Sequence, residues 1–125
     1  MDTLKYSDIE KNANGNLPEF LLQYIKIKKQ NLENIVFFKI GEFWETYFDD
    51  AFILSRECSV KLTKRTLKSG IIPMAGIVQS SLNVYIAKLI QKGFKVAVCE
   101  QFDKGDKKIA TRKKQCLQEA QYKKP

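Results

Sequence analysis

The sequence predicts an α/β fold, a mixed β-sheet flanked by helices, and three observations carry that reading. The run Ile35-Val36-Phe37-Phe38-Lys39-Ile40 is rich in β-branched and aromatic residues, too short for an isolated helix and closed by Gly41, so it reads as a buried strand. Two other stretches, one holding Phe20, Leu21, Tyr24 and Ile25 and one holding Leu82, Tyr85, Ile86, Leu89 and Ile90, repeat at helical spacing. Strands thus alternate with helices. One connection between strands is too short for a crossover helix, so parallel and antiparallel pairs are both expected.

Taken in order, residues 1–16 are polar and end in Asn12-Ala13-Asn14-Gly15-Asn16, which predicts a mobile leader. Pro18 suits a first helical turn, where its missing amide hydrogen would be unsatisfied anyway. Phe20, Leu21, Tyr24, Ile25 and Lys28 then share one face, with Gln23, Lys26 and Lys29 outside and an end near Gln30-Asn31. The strand Ile35 to Ile40 is apolar at nearly every position and is expected at the centre of its sheet.

Asp49 is a candidate helix cap, followed by Asp50, Ala51, Ile53, Leu54 and Glu57 as a first-turn acid and an inward stripe. Ser59 to Thr63 alternates Val60 and Leu62 with Lys61 and Thr63, a half-exposed strand. A hairpin-like loop, Arg65 to Gly70, leads into Ile71-Ile72-Pro73-Met74-Ala75, whose proline suggests an edge or an irregular end. Ser80 or Ser81 caps the clearest helix, Gly93 ends it, and Phe94 to Cys99 forms a further strand. From Asp103 to Pro125 eight basic residues outnumber three acidic ones, and the weak period of Ile109, Leu117 and Ala120 favours a partly helical basic tail over a disordered one.

With 125 residues the chain forms one domain, large enough to bury a modest core without staples. Cys58, Cys99 and Cys116 have no paired spacing and there is no histidine, so neither a zinc site nor a disulfide framework is indicated. A reduced, intracellular setting follows: the cytoplasm, or a nucleus or organelle in a eukaryote. The net charge of +8 suits a nucleic-acid partner, and a lysine-rich composition from an AT-rich genome would give the same excess. No apolar run approaches the roughly 18 residues of a membrane span, so no membrane partner is expected, and Met1 to Lys5 lacks the apolar core of a signal peptide.

The stretch that invites a functional reading is Gly41-Glu42-Phe43-Trp44-Glu45-Thr46-Tyr47-Phe48-Asp49-Asp50-Ala51, where large rings and carboxylates share one short segment. On an extended backbone Phe43 and Glu45 point the same way and Trp44 points the other. From the residues alone, core rings and a capping acid are the favoured explanation of such a segment. The segment resembles, however, the Gly-Asp-Phe-Tyr-Glu…Asp-Asp-Ala signature of the amino-terminal mismatch-recognition domain of the MutS family of DNA mismatch-repair proteins. Further matches follow in family order: Gln23-Tyr24 with Lys28, Leu62-Thr63-Lys64-Arg65, Pro73-Met74-Ala75-Gly76-Ile77, Tyr85-Ile86-Ala87-Lys88-Leu89 and Val96-Ala97-Val98-Cys99-Glu100-Gln101. Together they span residues 17–102.

The resemblance implies a domain I-like sheet of about five to six strands and a binding role without catalysis. It implies that Phe43 stacks on an unpaired base from the minor groove while Glu45 hydrogen-bonds that base. Double-stranded DNA with mispairs or small loops is then the partner, together with other mismatch-repair proteins. Lys39, Lys64, Arg65 and Lys68 are candidate backbone contacts near the motif, and Gly76, Val78, Gln79 and Ser80 are nominated because that segment lies against DNA in the family. Val78-Gln79 departs from the proline and the histidine or arginine common there. A carboxylate beside phosphates is expected to penalise binding to intact duplex, or to donate to a base if its pKa is raised.

No Gly-x-x-x-x-Gly-Lys-Ser/Thr loop is present, so ATP and magnesium are expected only in the ATPase domain of full-length relatives and no cofactor is expected here. The chain is expected to be either a fragment of a longer protein or a stand-alone module, binding weakly and with steep salt dependence by itself. Two other readings compete: a non-specific nucleic-acid or protein-interaction module of the same fold, and a metal-dependent nuclease using Glu42, Glu45, Asp49 and Asp50.

Overall fold

A computed structural model of the chain describes residues 5–7 and 17–100, with the backbone of 116–120 in addition. Apart from residues 5–7, the expected leader lies outside the described residues, as does most of the basic tail. The elements are α1 (Glu19–Gln30), β1 (Asn34–Ile40), β2 (Phe43–Tyr47), α2 (Asp49–Cys58), β3 (Thr63–Leu67), β4 (Gly70–Val78), a 3-10 turn (Gln79–Ser81), α3 (Leu82–Gln91), β5 (Lys95–Glu100) and β6 (Cys116–Ala120). They build a six-stranded sheet in the order β3-β4-β2-β1-β5-β6. β1 and β5 run parallel and the other neighbours antiparallel, so the sheet is mixed as the short connections required.

β1 is central because every residue from Ile35 to Phe38 is buried and its side chains feed both faces. Val36 and Phe38 pack with Leu21, Tyr24, Ile25 and Ile27 of α1, together with Tyr47, Ile72, Ala97 and Cys99. Ile35 and Phe37 pack on the other side with Ala51, Leu54 and Cys58 of α2 and Ile86 and Leu89 of α3. Among the elements named, α1 therefore covers one face and α2 and α3 the other. Gly93 ends α3 with φ +94°, and the amides of Gly93 and Phe94 return to the carbonyls of Ile90 and Leu89, satisfying groups the helix end would leave bare.

Several expectations shift. Gln23 is buried, its amide donating to Glu19 at 3.3 Å. Asp49 does not cap α2: the cap position is Phe48, at φ +57°, whose carbonyl accepts from the amides of Ala51 and Phe52. The strand placed at Ser59 to Thr63 begins at Thr63 instead, and Arg65 stands within it and not in the loop. Pro73 sits inside β4, between two strands, where its carbonyl takes the Phe48 amide at 3.1 Å. Within a strand N and O of one residue point to the same side, so the missing N–H faces the end of β2, where no ladder partner remains. Ser81 precedes α3 without a side-chain capping bond. Residues 116–120 form a strand on β5, where the sequence suggested partial helix.

A buried ion pair ties the layers together. Lys28 of α1 donates to Asp50 of α2 at 3.1 and 2.9 Å and to the Asn34 carbonyl at 2.6 Å, while Asp50 also accepts the Val36 amide at 3.0 Å. Burial pushes the Asp50 carboxyl above its ordinary value, with Lys28 and the Val36 amide pulling the other way. Asp50→Ala leaves a buried ammonium and a β1 amide without this partner, and is expected to cost about 3–5 kcal/mol of stability in urea unfolding. The double variant Lys28→Met, Asp50→Leu strands no charge and is expected to be more stable than Asp50→Ala.

Candidate nucleic-acid interface

β1 and β2 form a tight hairpin through Gly41 and Glu42, closed by the pair Ile40 and Phe43. Gly41 has φ +59°, and a glycine with positive φ at the first turn position suits the twist of a two-residue hairpin. Phe43 therefore starts β2 at the tip, and 48% of its surface is exposed. Its cross-strand neighbour on β4 is Val78, 46% exposed, so two apolar side chains stand open side by side. The Gln79 amide donates to the Glu42 carbonyl at 3.0 Å and fastens the end of β4 to the turn.

Alternation then sets the rest of β2. Trp44 is buried with the α2 and α3 cluster, and its indole Nε1 has no hydrogen-bond partner among the described residues. Thr46 donates to the Ala75 carbonyl at 2.9 Å. Glu45 and Tyr47 share the face of Phe43, as expected for a two-residue period. Glu45 is only 5% exposed.

Its burial is explained by its partners. Arg65 of β3 reaches across β4 and grips both carboxylate oxygens, Nε to Oε1 and Nη2 to Oε2, each at 2.9 Å. The Tyr47 hydroxyl donates to Oε1 at 2.7 Å. Gly76 lies opposite Glu45 in the ladder, and a Cβ there would stand 3.4 Å from the Glu45 Cγ, so the missing side chain leaves room for the glutamate stem. The Phe20 ring of α1 lies 5.0 Å from the Arg65 guanidinium, a favourable cation-π distance. Hydrogen bonding to Glu45 raises the Arg65 pKa, and burial, then the Glu45 charge, pushes the Tyr47 phenol well up, so both remain donors.

The expected lone acid beside phosphates is thus a charge already matched by a guanidinium. Of the other nominated residues, Gly76, Val78, Gln79 and Ser80 gather near the tip, through the β4 ladder and the 3-10 turn that follows it. Lys39 pairs with Trp44 on the opposite face, its ammonium 4.0 Å from Glu100. Lys64 alternates with Arg65 and also faces away. Lys68 is exposed in the β3–β4 turn, at the other end of β4, roughly 25 Å from Val78 at about 3.3 Å per residue. The sequence missed Tyr47 and Arg65 as partners of Glu45, although the Phe-x-Glu-x-Tyr spacing signals the first.

The acids of the nuclease reading do not converge. Glu45 is held by Arg65 and Asp50 by Lys28, and among the described residues no three metal-ligating side chains come together.

Fold and tip define an α/β domain with a half-exposed aromatic ring at a hairpin tip and a buried, arginine-held acid two residues further along the same face. Residues 18–119 match the sequence model of MutS domain I, and the chain belongs to that family. A protein described as DNA mismatch repair protein MutS from Dehalococcoides mccartyi strain BAV1 is 48% identical over 83 residues, 66% of this chain and 10% of the relative. Proteins of the same description from Pelotomaculum thermopropionicum, 48% identical over 81 residues, and Caldicellulosiruptor saccharolyticus, 44% over 95, cover 65% and 75% of this chain and 9% and 11% of their own length. The chain therefore spans about a tenth of the length of the curated relatives it matches.

Burial raises the phenols of both Tyr24 and Tyr47 above the ordinary value of 10.0. The unfolded chain releases these protons near pH 10 while the folded chain keeps them. The stability they contribute is fully present below pH 10 and is lost as pH rises beyond it, by up to about 1.4 kcal/mol per pH unit for each group. Thermal melts between pH 9 and pH 11 should show a falling Tm, and Tyr47→Phe should make the decline shallower.

Proposed function

We propose that this chain is a DNA mismatch-recognition module of the MutS type, acting in DNA mismatch repair by binding and without catalysis of its own. Phe43 enters the minor groove at a mispaired or unpaired base and stacks on it. Glu45 hydrogen-bonds the displaced base. The observation that carries this reading is the half-exposed Phe43 ring standing at a hairpin tip on the same face as Glu45. The shared description of the relatives as DNA mismatch repair protein MutS supports it.

The physical logic favours damage to pairing over sequence. Opening a base step for a ring costs a few kcal/mol, and least where pairing is already broken. Stacking returns roughly 1–3 kcal/mol per base for any base, so one ring serves many kinds of error. Val78 widens the apolar tip, and Gln79 and Ser80, exposed beside it, contact the adjoining backbone. Lys68 lies further along the duplex, while Lys39 and Lys64 on the other face add to the positive field and not to the contact.

The partners are double-stranded DNA bearing mispairs or small loops, and other mismatch-repair proteins. ATP and magnesium belong to the ATPase domain of full-length relatives. The test is a titration of two duplexes that differ by one mispair, at one stated salt concentration. The wild-type chain should prefer the mispaired duplex, and Phe43→Ala should weaken that complex by about 5- to 150-fold with little change for the matched one. Equal affinities for the two duplexes in the wild type would leave a non-specific DNA-binding module and sink the reading.

A further inference from the structure

The clamp on Glu45 uses two of the five N–H groups of Arg65 and fixes the plane of its guanidinium. Its two gripping N–H groups are the planar fork that also fits phosphate, and both are committed to the carboxylate. Phe20 covers one side of the guanidinium, and Tyr47 supplies the third hydrogen bond to Glu45. An arginine engaged in this way is oriented by the carboxylate, and only its remaining N–H groups are open to a phosphate. A carboxylate as buried as Glu45, by contrast, depends on such a partner, because an unpaired buried charge is strongly destabilising.

We propose that Arg65 is a specificity-determining positioning residue, which aims the Glu45 carboxylate beside the Phe43 ring and cancels its charge against the DNA backbone. The inference rests on the wedge reading of Phe43 and Glu45 and adds a division of labour to it. Affinity for any duplex comes from elsewhere on the surface. Preference for a loosened base depends on the Arg65–Glu45 pair acting as one unit.

Two consequences separate this role from a phosphate contact. Removing Arg65 alone frees a negative charge beside the duplex, so matched DNA should bind more weakly, and removing Glu45 as well should restore that binding. Removing a phosphate contact would instead weaken every duplex alike, would not be reversed at Glu45, and would lower the salt slope by about one.

The experiment is a fluorescence anisotropy titration of the full chain with a matched duplex and the same duplex carrying one unpaired thymidine, over a salt series. The variants are Arg65→Gln, Glu45→Gln, the double variant, Arg65→Lys and Phe43→Ala. Arg65→Gln and Glu45→Gln should each reduce the preference for the unpaired thymidine about 10-fold, with no further loss in the double variant. The double variant should bind matched DNA as the wild type does. Arg65→Lys keeps the charge without the fork, so it should hold matched-duplex affinity and lose part of the preference.

Unchanged preference in Arg65→Gln while Phe43→Ala loses it would overturn this role and leave the wedge reading standing. Failure of the double variant to recover matched binding, with a salt slope lower by about one, would also overturn it. A wild-type chain without preference would overturn both. Should Arg65→Gln fail to fold, Arg65→Lys and the double variant, neither of which strands the carboxylate, carry the comparison.

Discussion

The pleat of β2 is the constraint from which the rest of the site follows. Trp44 is locked among α2, α3 and the inner face of the sheet, and Thr46 donates across the ladder to Ala75. With those residues fixed on one side, Phe43, Glu45 and Tyr47 must occupy the other. A register slip of one residue would bury the ring and expose the indole, so the large apolar cost of moving Trp44 holds the tip in phase. The Gly41 turn sets where this alternation begins, which is why an exposed ring comes immediately after it.

Two of the ion pairs among the described residues involve a buried carboxylate, and they serve different ends. Lys28 and Asp50 join α1 to α2 and cap the amide of Val36, and burial works against the Asp50 charge there. Such a pair organises the packing of helices on the sheet. Arg65 and Glu45 have similar distances, yet the Arg65 side chain is about a third exposed. Chemistry of one kind thus fixes the interior in one case and shapes a surface in the other.

Much of the architecture was legible because it rests on local periodicity. The double-sided burial of β1, the stripes of α1 and α3 and the shared face of Phe43 and Glu45 all follow from spacings of two or about 3.6 residues, and the Gly93 stop from the left-handed backbone a glycine allows. β3 was misplaced because an edge strand with one buried residue, Leu67, gives almost no pattern, whereas Val60 and Leu62 imitated one. β6 was hidden for a related reason: a charged, weakly periodic stretch becomes a strand through the open edge of β5, a tertiary cause. Gln23 looked external because it is polar, though its helix position faces inward. The Arg65 clamp joins residues on strands separated by β4, and nothing local to either announces the other.

The chain has a single tryptophan, and it is Trp44. Its indole sits back to back with the Phe43–Glu45 face across one strand, 4% exposed, under the ammonium of Lys39. Blue-shifted intrinsic emission is the natural signature of so dry a site. Because Trp44 belongs to the same strand as Phe43 and Glu45, its emission views the site from the opposite face of the sheet.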